Sequence, residues 1–184
     1  MKIAWLLSEQ LTSTIDVEKL KDSAPTWGSC KIFNKYLVDN VICNDIKTIK
    51  KLTDRQVQKQ TNLFVPADII SQLGNPPNLK GYQGEFADPN INFKDDIVAL
   101  NVVSSMYDII LLVGFKFTKP KSTDKLKQHK QLAYLHNIKT IVETNEDKQF
   151  VLVNYKGKLS KDFDSIDNLT RDSLGNVLEL VQGI

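Results

Sequence analysis

A three-layer α/β sandwich, with helices on both faces of a mostly parallel sheet of about five strands, is the fold class this sequence predicts. Three observations predict it. Ile109-Ile110-Leu111-Leu112-Val113-Gly114-Phe115 is the longest stretch without a polar side chain, as a strand buried on both faces requires. Other short apolar runs alternate with segments of helical period, and that alternation implies βαβ crossovers and a parallel sheet. The composition, 41% hydrophobic and 25% charged over 184 residues, is that of one globular domain spanning 1–184. A chain of that length buries about 70% of its unfolded surface.

The elements follow in order. Lys2 to Leu7 reads as the first strand, ended by Ser8-Glu9-Gln10. A polar connection runs to about residue 29, with a turn of helix at Asp16 to Leu20. It carries Ala24-Pro25-Thr26-Trp27-Gly28-Ser29, and then Cys30, Ile32, Phe33, Tyr36 and Leu37 suit a helix of about two turns, broken by Asp39-Asn40. Val41 to Cys43 is a short second strand. Asn44 or Asp45 caps a helix from Ile46 to about Lys59. Asn62 to Val65 is the third strand. Pro66 opens a helix over Ala67 to Leu73 that Gly74 and Asn75-Pro76-Pro77 end.

Gly81 to Phe86 reads as a small strand or a surface loop. Phe93 to Asp96 opens a helix to about Met106, packed through Ile97, Leu100, Val103 and Ser104, with Asp95 or Asp96 at its positive end. Asp108 to Val113 is the central strand, followed by the loop from Gly114 to Ser122 with Pro120 in it. The longest helix spans about 123 to 143. Gln149 to Val153 is the fifth strand, and a last helix covers Arg171 to Val181.

Charge excludes little and directs little. The 24 basic and 22 acidic residues leave a net charge of +2, so nucleic acid is not an expected partner. Arg55 and Arg171 are the only arginines, so an anion site must rely on lysine, backbone N–H groups or helix N-termini. No apolar stretch is long enough to span a membrane. Cys30 and Cys43 form no CxxC pair and the Met1 to Trp5 start has no secretory pattern, so a reducing cytoplasm is expected.

In open parallel sheets the ligand crevice lies beyond the carboxyl ends of the strands, where the strand order reverses. That rule selects Ser8-Glu9, Asn44-Asp45, Pro66, Gly114-Phe115-Lys116 and Asn154-Tyr155-Lys156. Thr26-Trp27-Gly28-Ser29 joins them as an anion pocket at a helix start, with Trp27 either stacking on a base or filling the core. Asp45 is either a crevice carboxylate or a cap; Glu9 and Glu85 are the other carboxylates near the crevice. Lys116 either meets a phosphate or is an ordinary exposed lysine. His129 is the general-base candidate, or a surface histidine among lysines. It lies seven residues from His136, a spacing that does not build a two-histidine metal site, so no metal is expected. GxGxxG, GxxxxGK[ST] and GxSxG are absent, so no cofactor is expected.

The segments Ala24 to Ser29, Asp39 to Asp45 and Leu111 to Phe117 resemble a family of proteins carried by T4-like phages of marine bacteria. The Lys-, Asn- and Ile-rich composition fits that resemblance, which implies the cytoplasm of the host cell. Locally, a helix, a strand and then Gly114-Phe115-Lys116-Phe117 is similar to the core of bacterial sialyltransferases and of a pterin-pyrophosphokinase-like family. Lys116 stands where those proteins have Asp. This second resemblance implies a Rossmann-like domain that binds a nucleotide or nucleotide sugar, with transferase activity. The absence of strong catalytic motifs supports an alternative: a non-catalytic binder of a host protein or of a small signalling molecule. Ligand identity and oligomeric state are not legible.

Overall fold

The computed structural model describes residues 1–11, 15–77, 79–82, 95–119 and 122–183. Eight strands form one sheet: β1 (Ile3–Leu7), β2 (Thr26–Ser29), β3 (Asn40–Ile42), β4 (Asn62–Pro66), β5 (Leu79–Tyr82), β6 (Ile109–Val113), β7 (Gln149–Val153) and β8 (Leu169–Asp172). Their order is β5-β4-β3-β2-β1-β6-β7-β8, and every neighbouring pair is parallel. The chain therefore starts in the middle, builds outward to β5, returns to the other side of β1 and builds outward again to β8. Six consecutive strands of the sheet, β3-β2-β1-β6-β7-β8, repeat the doubly wound Rossmann order, with the reversal between β1 and β6.

The sheet has eight strands rather than five. The additional ones are β2, β5 and β8, and each lacks the pattern that marks a strand in sequence. β2 contains Gly28 and Ser29 and follows Pro25, which reads as turn chemistry; pairing with β1 and β3 on both sides makes it a strand. β8 is an edge strand, and Thr170, Arg171 and Asp172 are exposed on it, so no apolar alternation develops. Arg171, expected to start a helix, belongs to this strand. Of the small strand expected at Gly81 to Phe86, only Gly81 and Tyr82 lie within the described residues; Phe93, Lys94, Pro120 and Glu85 also lie outside them.

Side chains alternate between the two faces of the sheet. Ala4, Leu6, Ile110, Leu112, Phe150 and Leu152 pack with two helices, α5 (Asp95–Met106) and α6 (Lys125–Thr144). Trp5, Leu7, Val41, Leu63, Leu111 and Val113 pack on the opposite face. That face carries α1 (Val17–Lys21), α2 (Cys30–Phe33), α3 (Ile46–Asp54), α4 (Ala67–Gln72) and α7 (Leu174–Gln182). The result is a three-layer sandwich.

Three helices depart from expectation. α2 is one turn, because Lys35 and Tyr36 both donate their N–H groups to Ile32 O at 2.8 Å and close the turn. α3 ends at Asp54, because Gln56 adopts φ 56° and a 3-10 turn, Val57–Lys59, takes over. α5 is buried nearly all round, not along one stripe: Val98, Ala99 and Val102 are as enclosed as Ile97 and Leu100. It lies across β1, β2 and β3 and packs against α6, which encloses more than one stripe of it.

Candidate functional site

The reversal of strand order puts the carboxyl ends of β1 and β6 side by side. Ser8 donates its N–H to Val113 O at 2.9 Å, and Leu11 N–H closes a turn onto Ser8 O at 3.1 Å. Gly114 lies against this turn with φ +79°. A Cβ on Gly114 would stand 2.8 Å from Leu11 Cα and 2.7 Å from Leu11 Cβ. Backbone strain and backbone overlap act together here, so Gly114→Ala is expected to destabilise the fold by about 2–3 kcal/mol. Urea unfolding checks this, and a change under 0.5 kcal/mol, roughly the scatter of ordinary surface substitutions, would contradict it.

The turn after β1 is held from the other face by Asp96, in the first turn of α5. Asp96 Oδ2 accepts a short hydrogen bond from Ser8 Oγ, and Oδ1 accepts Glu9 N–H at 2.8 Å. The Tyr134 hydroxyl of α6 donates to Oδ2 at 3.5 Å. Ser8 Oγ in turn accepts Gln10 N–H at 3.0 Å. Ser8 and Asp96 are almost fully buried, so they position the loop and do not face solvent.

Among the described residues, two concavities lie at this end of the sheet. The first has a volume of about 510 Å³ and crosses the reversal point. Leu11, Asp16, Gly114 and Phe115 line one side, and Asn154, Tyr155 and Lys156 beyond β7 line the other. Its floor is apolar, from Leu112, Val113, Leu152 and Val153. Its polar groups are partly committed: Asp16 Oδ1 caps α1 through Lys19 N–H at 3.4 Å, and Asn154 Oδ1 accepts Leu174 N–H at the start of α7 at 2.9 Å.

The second is a groove of about 560 Å³ between α2 and α3. Cys30, Lys31, Asn44, Asp45, Thr48 and Asp95 line it. Glu9 reaches Lys31 Nζ at 2.9 Å, and this contact raises the lysine above its usual range. Asp95 is 8% exposed and receives a hydrogen bond from Cys30 Sγ at 3.4 Å. Burial pushes its carboxyl above the ordinary value of 3.8, while the Cys30 bond and Lys31 pull it back down. A folded-state carboxyl raised in this way favours folding below its unfolded value and opposes folding as pH rises through the folded value. Asp95→Asn is therefore expected to melt higher than the parent chain at pH 7, with the difference closing as pH falls toward 3.8. Scanning calorimetry across that range checks the sign; a lower melting point at pH 7 would contradict it.

The residues expected at one crevice are divided among several places. Ser8, Gly114 and Phe115 meet at the reversal point. Asn44 and Asp45 line the other groove, where Asp45 is a cap: its Oδ2 accepts Thr48 N–H at 2.8 Å and Thr48 Oγ1 at 2.7 Å, which hold the carboxyl below its usual range. Thr26 is at the amino end of β2, about 10 Å of strand away from the ligand edge, and its N–H and hydroxyl bind Asp39 at 2.9 and 2.8 Å. Trp27 fills the core under α5 at 1% exposure, so it offers no stacking surface. Gly28 permits close packing, since a Cβ there would overlap Ile32 Cγ2. Ser29 is fully buried, and its hydroxyl has no hydrogen-bond partner among the described residues. The loop expectation for Thr26 to Ser29 is thus corrected to a strand.

Lys116 is exposed and outside the lining of the first crevice, and His129 is exposed on α6 and lines neither concavity. Asp95, Asp96 and Cys30 were missed as site residues. Asp95 and Asp96 carried a sequence signal only as helix-start carboxylates; that the helix crosses back over β1 and β2 is a tertiary fact. Among the described residues no group of three or more His, Cys, Asp or Glu is arranged to hold a metal ion, and no helix is long and apolar enough to cross a membrane. No protein-family model, curated protein or solved structure matches this chain.

Proposed function

We propose that the crevice across the β1–β6 reversal binds a nucleotide or nucleotide sugar, in a phage-encoded accessory protein working as a transferase in the host cytoplasm. The observation that carries the reading is the position of the 510 Å³ crevice at the one place where the strand order reverses. That volume falls in the range of about 300–1,000 Å³ that small-molecule sites occupy. The apolar floor suits the face of a base, Asp16 and Asn154 suit ribose or sugar hydroxyls, and Lys156 suits a phosphate as a point charge.

One observation favours binding without catalysis. Asp16 and Asn154 already cap helices, and among the described residues no acid–base pair converges on the crevice. A small signalling molecule held there, or a host protein, is the second reading.

Thermal shift against a panel of nucleotides and nucleotide sugars tests the first reading. A ligand at 100 times its Kd stabilises by about 2.7 kcal/mol. No shift with any member at millimolar concentration would sink it. A shift without turnover of a bound nucleotide sugar would select the second reading.

A further inference from the structure

We propose that Cys30 and Cys43 form a reversible disulfide that decides whether Asp95 is free in the groove between α2 and α3. The parallel register pairs Gly28 with Val41 and Ser29 with Ile42; continued one step past the strand ends, it sets Cys30, the first residue of α2, opposite Cys43. Neighbouring strands lie about 4.8 Å apart, and disulfides span Cα separations of about 4.4–6.8 Å. Both side chains pack on the same face of the sheet, where Cys30 Sγ donates to Asp95 Oδ2 at 3.4 Å and Cys43 Sγ to Asp45 O at 3.9 Å. Neither cysteine is bonded in the structure, and Cys30 lines the groove, which gives an oxidant a path to it.

The bond balances with hydrogen peroxide as oxidant. Cys30 gives its proton to Asp95 Oδ2, 3.4 Å away, and its sulfur attacks one peroxide oxygen. The O–O bond breaks, the other oxygen leaves as water with that proton, and Cys30 becomes a sulfenic acid. Cys43 sulfur then attacks Cys30 sulfur, the S–O bond breaks, and the hydroxyl leaves as a second water with the Cys43 proton. Two electrons pass from the sulfurs to the peroxide. A dithiol reverses the change by two exchanges and ends as its own cyclic disulfide.

Two consequences follow from the neighbours. The neighbouring Cys43, burial and Asp95 all push the Cys30 thiol up, so Cys30 rests protonated and its oxidation is slow at neutral pH and faster in alkali. In the disulfide Cys30 has no S–H, so Asp95 loses the donor that lowers its pKa and its carboxyl rises further.

The test uses the full chain. After peroxide treatment and quenching, the thiols titrated in denaturant are expected to fall from two to none, with one peptide linking Cys30 to Cys43 and full recovery in dithiothreitol. Cys43→Ser is expected to stop at a Cys30 sulfenic acid that dimedone traps. The ¹³C-carboxyl midpoint of Asp95 is expected to move up on oxidation of the parent chain. Persistence of both thiols under conditions that oxidise free dithiothreitol completely would overturn the disulfide, as would a link only between two chains. An unmoved Asp95 midpoint in fully oxidised protein would overturn the coupling. These readouts on the parent chain decide the matter even if Cys43→Ser fails to fold.

Discussion

Trp27→Ala is expected to lower the free energy of unfolding by about 3–5 kcal/mol, the range for truncating a large buried aromatic. Trp27 is 1% exposed, its ring centroid lies 4.7 Å from that of Phe64, and its Nε1–H donates to the Tyr107 hydroxyl at 3.1 Å. Removing the indole leaves a cavity beneath α5 and takes a partner from Tyr107. Trp27→Phe keeps much of the ring contact and loses the hydrogen bond, so a smaller loss of about 1–2 kcal/mol is expected. Equilibrium urea unfolding of both variants checks the ordering. If Trp27→Ala cost less than about 1 kcal/mol, the side chain would not be a core residue, since cores do not give up an indole so cheaply.

Asp96→Ala carries the second large effect, also about 3–5 kcal/mol, because it breaks a buried hydrogen-bond network with three donors at once. The Ser8 hydroxyl, the Glu9 N–H and the Tyr134 hydroxyl each lose an acceptor at once. Asp96→Asn keeps one carbonyl oxygen for Glu9 N–H and lets Ser8 accept from the amide, so about half the loss is expected. The effect should also be local in kind: amide exchange at Ser8 to Leu11 should accelerate more than exchange in β7, which Asp96 does not touch. Equal acceleration in both would mean that Asp96 serves only global stability.

Much of this fold is legible because burial on both faces leaves a plain signature. β1, β4, β6 and β7 are apolar runs with sharp polar ends, and α5 and α6 are long enough for their boundaries to show. The elements that were not legible owe their state to neighbours. β2 has four residues, including Gly28 and Ser29, and is a strand because β1 and β3 hydrogen-bond it from both sides. β8 is exposed and edge-paired, so nothing in Thr170-Arg171-Asp172 distinguishes strand from helix start.

The site divides along the same line. Gly114 was legible because a glycine directly after an apolar strand has few other reasons to be there. The groove was not, because Cys30, Asp45 and Asp95 come from three separate segments whose meeting depends on α5 crossing the sheet. Of the two roles the sequence left open for Trp27, the structure gives core filling: the strand that carries it turns the indole inward.

The most direct test of a ligand crevice at the β1–β6 reversal is a ¹⁵N-amide titration of the full chain with the best-stabilising nucleotide from the panel. The expected result is a saturable set of shifts centred on Gly114, Phe115, Asn154, Tyr155 and Lys156, with Thr26 and Trp27 unmoved. Shifts confined to Cys30, Asn44, Asp45 and Thr48, or none at saturating nucleotide, would contradict it.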